Sequence, residues 1–190
     1  MPFINIFLAL LGKEELCWIF LPGTLAGGLT NPSNMISCKF ENGNKANLRH
    51  VTVDALVVRD GKILLVKRAS HLINPNKYAI PGGYLNRDET TSAGALRELL
   101  EETGYSGKVI SLFKITDKPN RKGEDRQNVN FTYLIRITKK VSSPDSEVES
   151  VQWFELNKIP DEREFAFDHY ETVELYVRYL EDKLSLPIYA

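Results

Sequence analysis

Apolar residues follow two rhythms along this chain, and the change-over falls near residue 90. Between 51 and 80 they gather in short runs: Val51 to Val58 (VTVDALVV), Ile63 to Lys67 (ILLVK) and Tyr78-Ala79-Ile80. Runs this short, rich in β-branched residues and bounded by turn formers, predict buried strands. Arg59-Asp60-Gly61-Lys62 predicts the hairpin turn joining the first two, and Arg68 to Lys77, which contains Pro75, a polar loop. Asp54 breaks the first run, as either a substrate contact or the sign of an edge or bulge. Further strands are predicted over Val109 to Ile115, Phe131 to Ile137 and Val151 to Phe154, with Trp153 in the core. A C-terminal helix, opened by Glu164 to His169 (EFAFDH), runs from Tyr170 to Lys183.

Thr91 to Thr103 has the other rhythm. At 100° per residue, Leu96, Leu99 and Leu100 share one side of a helix and Glu98, Glu101 and Glu102 the opposite side. Like charges three and four residues apart repel, each pair costing roughly a few tenths of a kcal/mol. A hard cation such as Mg²⁺ or Mn²⁺ reverses that sign, because it seeks oxygen ligands while keeping several waters. Gly94, on the acids' side, would let a phosphate or metal approach the helix backbone. Gly104 suits the left-handed residue at a helix C-terminus, and Gly82-Gly83 after Pro81 lets the entering loop bend sharply. Taken alone, the ELLEE run is also what the solvated face of any amphipathic helix looks like.

The whole stretch is more specific than its parts. Gly83, Glu89, Arg97, Glu98, Glu101, Glu102 and Gly104 stand in the spacing G-x5-E-x7-R-E-L-x-E-E-x-G-Y, which resembles the Nudix box of the Nudix hydrolases. Tyr105 departs from the aliphatic residue usual at its last position. The loop TDKPNRKGEDRQNVN, with Pro119 fifteen residues past Gly104, is similar to the proline-containing loop of the ADP-ribose pyrophosphatase and nicotinamide-nucleotide-linked branch, although KGED interrupts that pattern. FAFDH resembles the closing helix of the same branch.

The resemblance implies an α/β fold, the Nudix α/β/α sandwich, with a mixed central sheet and a catalytic loop-helix-loop. It implies a Mg²⁺-dependent enzyme, with Mn²⁺ as a substitute, that hydrolyses the pyrophosphate bond of a nucleoside diphosphate linked to another moiety. ADP-ribose or a related sugar nucleotide is the favoured substrate; the runner-up is a nucleoside triphosphate, as in MutT-like enzymes. A non-catalytic ADP-ribose sensor fits less well, because the box glutamates are intact. Glu98, Glu101 and Glu102 would hold the metal, with Gly82 as a further contact. Arg97 would orient neighbouring carboxylates and Glu89 reach back toward the metal. The general base is open among Glu101, Glu102, Glu124, Glu164 and Asp168. Arg121 and Arg126 suit forked contacts to phosphate or ribose, and Pro119, Gly83 and Phe167 complete the expected substrate contacts. His169 could line the base pocket or simply pack.

Composition narrows the setting. Hydrophobic residues make up 43% of the 190, enough for one core, and a net charge of −1 argues against a nucleic acid polymer or an anionic membrane as partner. Cys17 and Cys38 are too few and too far apart for a zinc site or a disulfide framework, which fits a cytoplasmic protein. The apolar run Phe3 to Leu11 is stopped by Lys13, Glu14 and Glu15, well short of the ~20 residues a bilayer needs, and no basic region precedes it as in a secretory signal. Residues 1–46 are therefore expected to be an extension, with Met35 the natural start or residues 1–34 a loosely docked arm, a membrane or partner anchor being the alternative, ahead of a hydrolase domain over 47–186. Many members of the branch are dimers, and the resemblance leaves a homodimer open.

Overall fold

The structure, a computed structural model, describes residues 35–124 and 126–190. The expectations for residues 1–34 lie outside the described residues. Among the described residues, ten strands and two α-helices follow in order: β1 (Ile36–Lys39), β2 (Lys45–Leu48), β3 (His50–Arg59), β4 (Lys62–Arg68), β5 (Tyr78–Ala79), β6 (Gly82–Tyr84), α1 (Thr91–Thr103), β7 (Tyr105–Thr116), β8 (Asn128–Lys140), β9 (Val148–Glu155), α2 (His169–Asp182) and β10 (Ile188–Tyr189). β1 and β2 form their own hairpin; the rest build one mixed sheet in the order β10-β7-β8-β3-β4-β5, with β6 also on β3 and β9 also on β4.

The hairpin turn predicted at 59–62 is present. Asp60 and Gly61 both take positive φ (52° and 72°), the two-residue geometry whose twist suits an antiparallel pair. β3 and β4 pair only beside this turn, at Val58↔Ile63 and Arg59↔Lys62, and then diverge. β3 continues antiparallel to β6 and parallel to β8, whereas β4 continues between β5 and β9.

Alternation along β3 sorts its residues between two cores. Val53, Ala55 and Val57 pack with Leu64, Ala95, Leu99 and Ile135 beneath α1. Leu56 turns the other way and packs with Ile63, Leu65, Phe113, Val173 and Tyr176 beneath α2. On that second face the pattern changes from apolar to polar along the strand: Leu56 gives way to Asp54 and Thr52, and on β8 Leu134 gives way to Thr132, Asn130 and Asn128. A polar patch therefore sits in the middle of the sheet. Asp54 belongs to it, flanked by β6 and β8, so the edge-or-bulge reading of this residue does not hold.

The glutamate helix is capped at both ends. The Thr90 side chain accepts from the Ala93 N–H, and Gly104 closes the helix at φ 74°. Its faces differ from the two-sided wheel. Ala95 and Leu99 are buried on the sheet, but Leu100 is exposed, and Glu98 and Glu102 are buried along with Gly94. The loop around β6 folds across the helix and covers a second side of it. A Cβ on Gly94 would meet Glu89 Oε1 at 3.0 Å and Leu85 Cδ1 at 3.1 Å, so this glycine admits the chain's own loop. At the other end the expected C-terminal helix is present as α2, but EFAFDH itself is a lead-in: a 3₁₀ turn, Glu162–Glu164, then the bridge residue Phe165 and a turn, before the helix starts at His169. Trp153 packs on the α1-side core, with the Arg59 guanidinium 4.9 Å from its ring centre.

Candidate active site

A cleft of about 450 Å³ opens where the polar patch of the sheet meets the β6 loop and the acidic side of α1. Glu98 and Glu102 sit one turn apart on α1 and are only 9% and 5% exposed; the Glu101 side chain is 46% exposed. The Gly82 N–H donates to Glu102 Oε2 at 2.9 Å. A side chain on Gly83 would lie 2.5 Å from Glu98 Oε1, so only glycine lets strand and carboxylate approach this closely.

Arg97 ties the acids together. Its guanidinium donates to Glu89 Oε1 and Oε2 (2.7 and 3.1 Å), Glu98 Oε1 (2.7 Å), Glu101 Oε2 (2.8 Å) and the Tyr84 carbonyl (2.9 Å). These bonds, to Glu89 foremost, raise the Arg97 pKa above the ordinary guanidinium value. Hydrogen bonds from Arg97 and from the Asn86 N–H hold the Glu89 carboxyl below its ordinary value. Glu98 and Glu102 behave oppositely. Burial pushes the Glu98 carboxyl up against the pull of Arg97, and pushes Glu102 well up against that of the Gly82 N–H. Two desolvated carboxylates whose partners do not offset their burial could take a divalent cation. Among the described residues no group of three acidic, imidazole or thiol side chains is arranged to hold a metal ion.

The remaining expected residues fall at different distances from this centre. Arg126 lines one part of the cleft, 5.6 Å from the Tyr84 ring centre, and donates to the Tyr84 hydroxyl at 2.9 Å. Phe167 lines another part at φ 54°, a conformation a bulky residue rarely adopts. Arg121 also lines the cleft but is committed: it donates to Asp168 Oδ1 (2.6 and 2.5 Å) and to Glu124 Oε1 (3.1 Å). Pro119 is exposed and stands outside the cleft lining, as does Glu164, whose carboxylate accepts from the Asp161 N–H. Of the later acids considered as bases, Glu124 alone lines the cleft; Asp168 is bound by Arg121 and by Lys114 (3.3 Å).

Three charged cleft residues, and the aromatic Tyr84, were not singled out from the sequence. Asp145 and Glu147, from the turn between β8 and β9, lie against the α1 acids, and the Asp145 N–H donates to the Glu101 carbonyl. The acid at every second residue of DSEVE was the available signal. Arg68, at the end of β4, donates to the Ile73 carbonyl at 2.9 Å and stands 5.2 Å from the Phe167 ring centre, with Arg121 5.6 Å from the same ring. Burial lowers the Arg68 pKa despite the field of Glu102, Glu147 and Glu124. No pattern in the sequence marks it.

Comparison with known proteins identifies the family and the fold. The NUDIX domain family model matches residues 48–176. An ADP-ribose pyrophosphatase from Methanocaldococcus jannaschii is 33% identical over 132 residues, covering 68% of this chain and 73% of that protein. A MutT-like protein from Streptomyces ambofaciens is 33% identical over 60% of this chain and 69% of its own length. The crystal structure of a Nudix hydrolase from Nitrosomonas europaea superposes with a TM-score of 0.64 at 20% identity, over 83% of this chain and 92% of that one. The chain belongs to the Nudix hydrolase family, enzymes that cleave pyrophosphate bonds in small nucleotide-like substrates. The mixed sheet with its two helices is the Nudix sandwich, and no helix among the described residues is long and apolar enough to cross a membrane.

Proposed function

We propose that this enzyme hydrolyses a nucleoside diphosphate joined to a second moiety, with ADP-ribose the favoured substrate and AMP and ribose 5-phosphate the products. The observation that carries this reading is the set of groups lining one cleft. Glutamates of α1 share it with two aromatic–arginine groups, Tyr84 with Arg126 and Phe167 with Arg68 and Arg121. That set suits a ligand that carries both a diphosphate and ring-bearing groups. The name of the Methanocaldococcus jannaschii relative supports the same substrate.

Glu98, Glu101 and Glu102, with Gly82 beside them, would hold Mg²⁺ or Mn²⁺. When bound, such an ion supplies charge neutralisation to the diphosphate and acidifies a coordinated water. The chain's own residues do the positioning. Arg97 fixes Glu98 and Glu101 relative to each other through one guanidinium nitrogen. Arg68 offers a cation to the phosphates, and Arg126 one to the group stacked near Tyr84. Water adds to one phosphorus, the bridging P–O bond breaks, and the water proton passes to a carboxylate. Glu147 and Glu124 line the cleft and suit that acceptor role.

Product analysis with Mg²⁺ tests the reading. AMP plus ribose phosphate from ADP-ribose is expected. Release of inorganic pyrophosphate from nucleoside triphosphates, with ADP-ribose left uncut, would replace it with the MutT-like reading.

A further inference from the structure

We infer that His169 is a positioning residue for the metal-holding Glu102, acting through the backbone of the Ile80–Gly82 turn. This rests on the assignment of Glu102 to the metal. β5 ends at Ala79, so the Ile80 N–H has no strand partner. It donates instead to His169 Nδ1 at 2.9 Å, in a fully buried contact that spans 89 residues of sequence. Two residues further on, the Gly82 N–H donates to Glu102 Oε2 at 2.9 Å. Pro81, whose φ is fixed by its ring, lies between the two, and its carbonyl is held by the Ala55 N–H at 2.8 Å. Little slack remains between the imidazole acceptor and the carboxylate.

The imidazole is itself locked. Accepting at Nδ1 leaves the proton on Nε2, which faces Asp54 Oδ2 at 3.9 Å. Burial lowers the His169 pKa to about 4 against the field of Asp54, so the ring is neutral, as an acceptor must be. Asp168, the preceding residue, is anchored by Arg121 and Lys114 instead of capping α2. Consecutive residues at the start of α2 thus grip the loop after β7 and the turn that carries Gly82.

Replacing the acceptor separates this role from mere packing. His169→Leu removes it; His169→Asn returns an oxygen near the Nδ1 position; His169→Gln moves the amide group to the Nε2 position. Two measurements on the full chain without substrate decide the matter: Mn²⁺ affinity by calorimetry and hydrogen exchange at the Gly82 amide. His169→Leu should weaken Mn²⁺ binding roughly 10- to 100-fold, the loss typical when a group supporting a metal ligand is removed, and should speed Gly82 exchange. His169→Asn should keep both near wild type. A folded His169→Leu with wild-type affinity and exchange overturns the inference, as does His169→Asn failing as badly as His169→Leu. If His169→Leu does not fold, equal Mn²⁺ affinity and equal Gly82 exchange in the Asn and Gln variants overturn it. Should the wild-type chain bind no Mn²⁺, the metal assignment fails, and Gly82 exchange alone still reports whether His169 holds the turn.

Discussion

Two groups of buried acids, one on α1 and one at the start of α2, carry opposite proton affinities. On α1, Glu98 and Glu102 are desolvated with little compensation, and both carboxyls are driven up. At the start of α2, Asp168 is as deeply buried, yet Arg121 and Lys114 outweigh that burial and hold it well below the ordinary carboxylate value. Burial alone does not distinguish them; the neighbouring cations do. The α2 cluster balances its charges and stiffens the scaffold. The α1 pair is compensated less, Glu98 by Arg97 and Glu102 by the Gly82 N–H, and would suit the divalent ion proposed above.

The largest expected effect sharpens this contrast. Glu102→Gln should cut turnover with Mg²⁺ by about two orders of magnitude or more, while the melting temperature in EDTA stays level or rises, because a costly buried charge has gone. Wild-type turnover would remove Glu102 from the metal site. Asp168→Asn should do the reverse. It leaves Arg121 and Lys114 buried without their carboxylate and should cost roughly 3–5 kcal/mol of stability in denaturant titration; a loss under about 1 kcal/mol would show that the cluster is not the strut described here.

Acid titration of the metal-free protein should separate the two groups by sign. Glu102 has a raised folded pKa, so its contribution is full below its ordinary value of 4.5 and is lost as pH rises through the folded value. Asp168 has a depressed pKa, so its contribution is present above 3.8 and is lost as pH falls through the folded value. His169 adds to the second trend: its contribution is complete above 6.5 and disappears as pH falls toward about 4. Melting curves from pH 2 to 8, compared between wild type and Glu102→Gln, should show the variant losing the Glu102 component while those of Glu98, Asp168 and His169 remain. The smallest effect concerns the caps. α1 has a side-chain cap and α2 has none, so Thr90→Ala should cost about 1 kcal/mol in thermal unfolding.

Much of the α1 half was legible because it is local. The glutamates, Arg97, Glu89 and four glycines lie within 82–104, where fixed spacing on one helix and one loop constrains geometry. What the wheel missed was the second covering layer: a helix buried on two sides hides Glu98 and Glu102 while leaving Leu100 in solvent. The α2 half draws on Asp54, Arg68, Lys114, Arg121 and Asp168, from five segments that only the sheet brings together. Phe167 is ordinary in sequence and unusual in backbone angle, a property no residue pattern announces. Strand ends were also short by several residues, because β7 and β8 continue through polar positions that mutual pairing tolerates.

The parallel ladder between β3 and β8 has a consequence for how the enzyme is made. Thr52 meets Asn130 and Asp54 meets Thr132, contacts that close a loop of nearly eighty residues. Helical turns such as α1 form quickly from neighbours, whereas distant pairing is slow and waits for the chain to be complete enough. On the ribosome, the glutamate helix is therefore complete in sequence before the floor of the cleft can pair, and the cation site proposed above would be assembled only after that pairing.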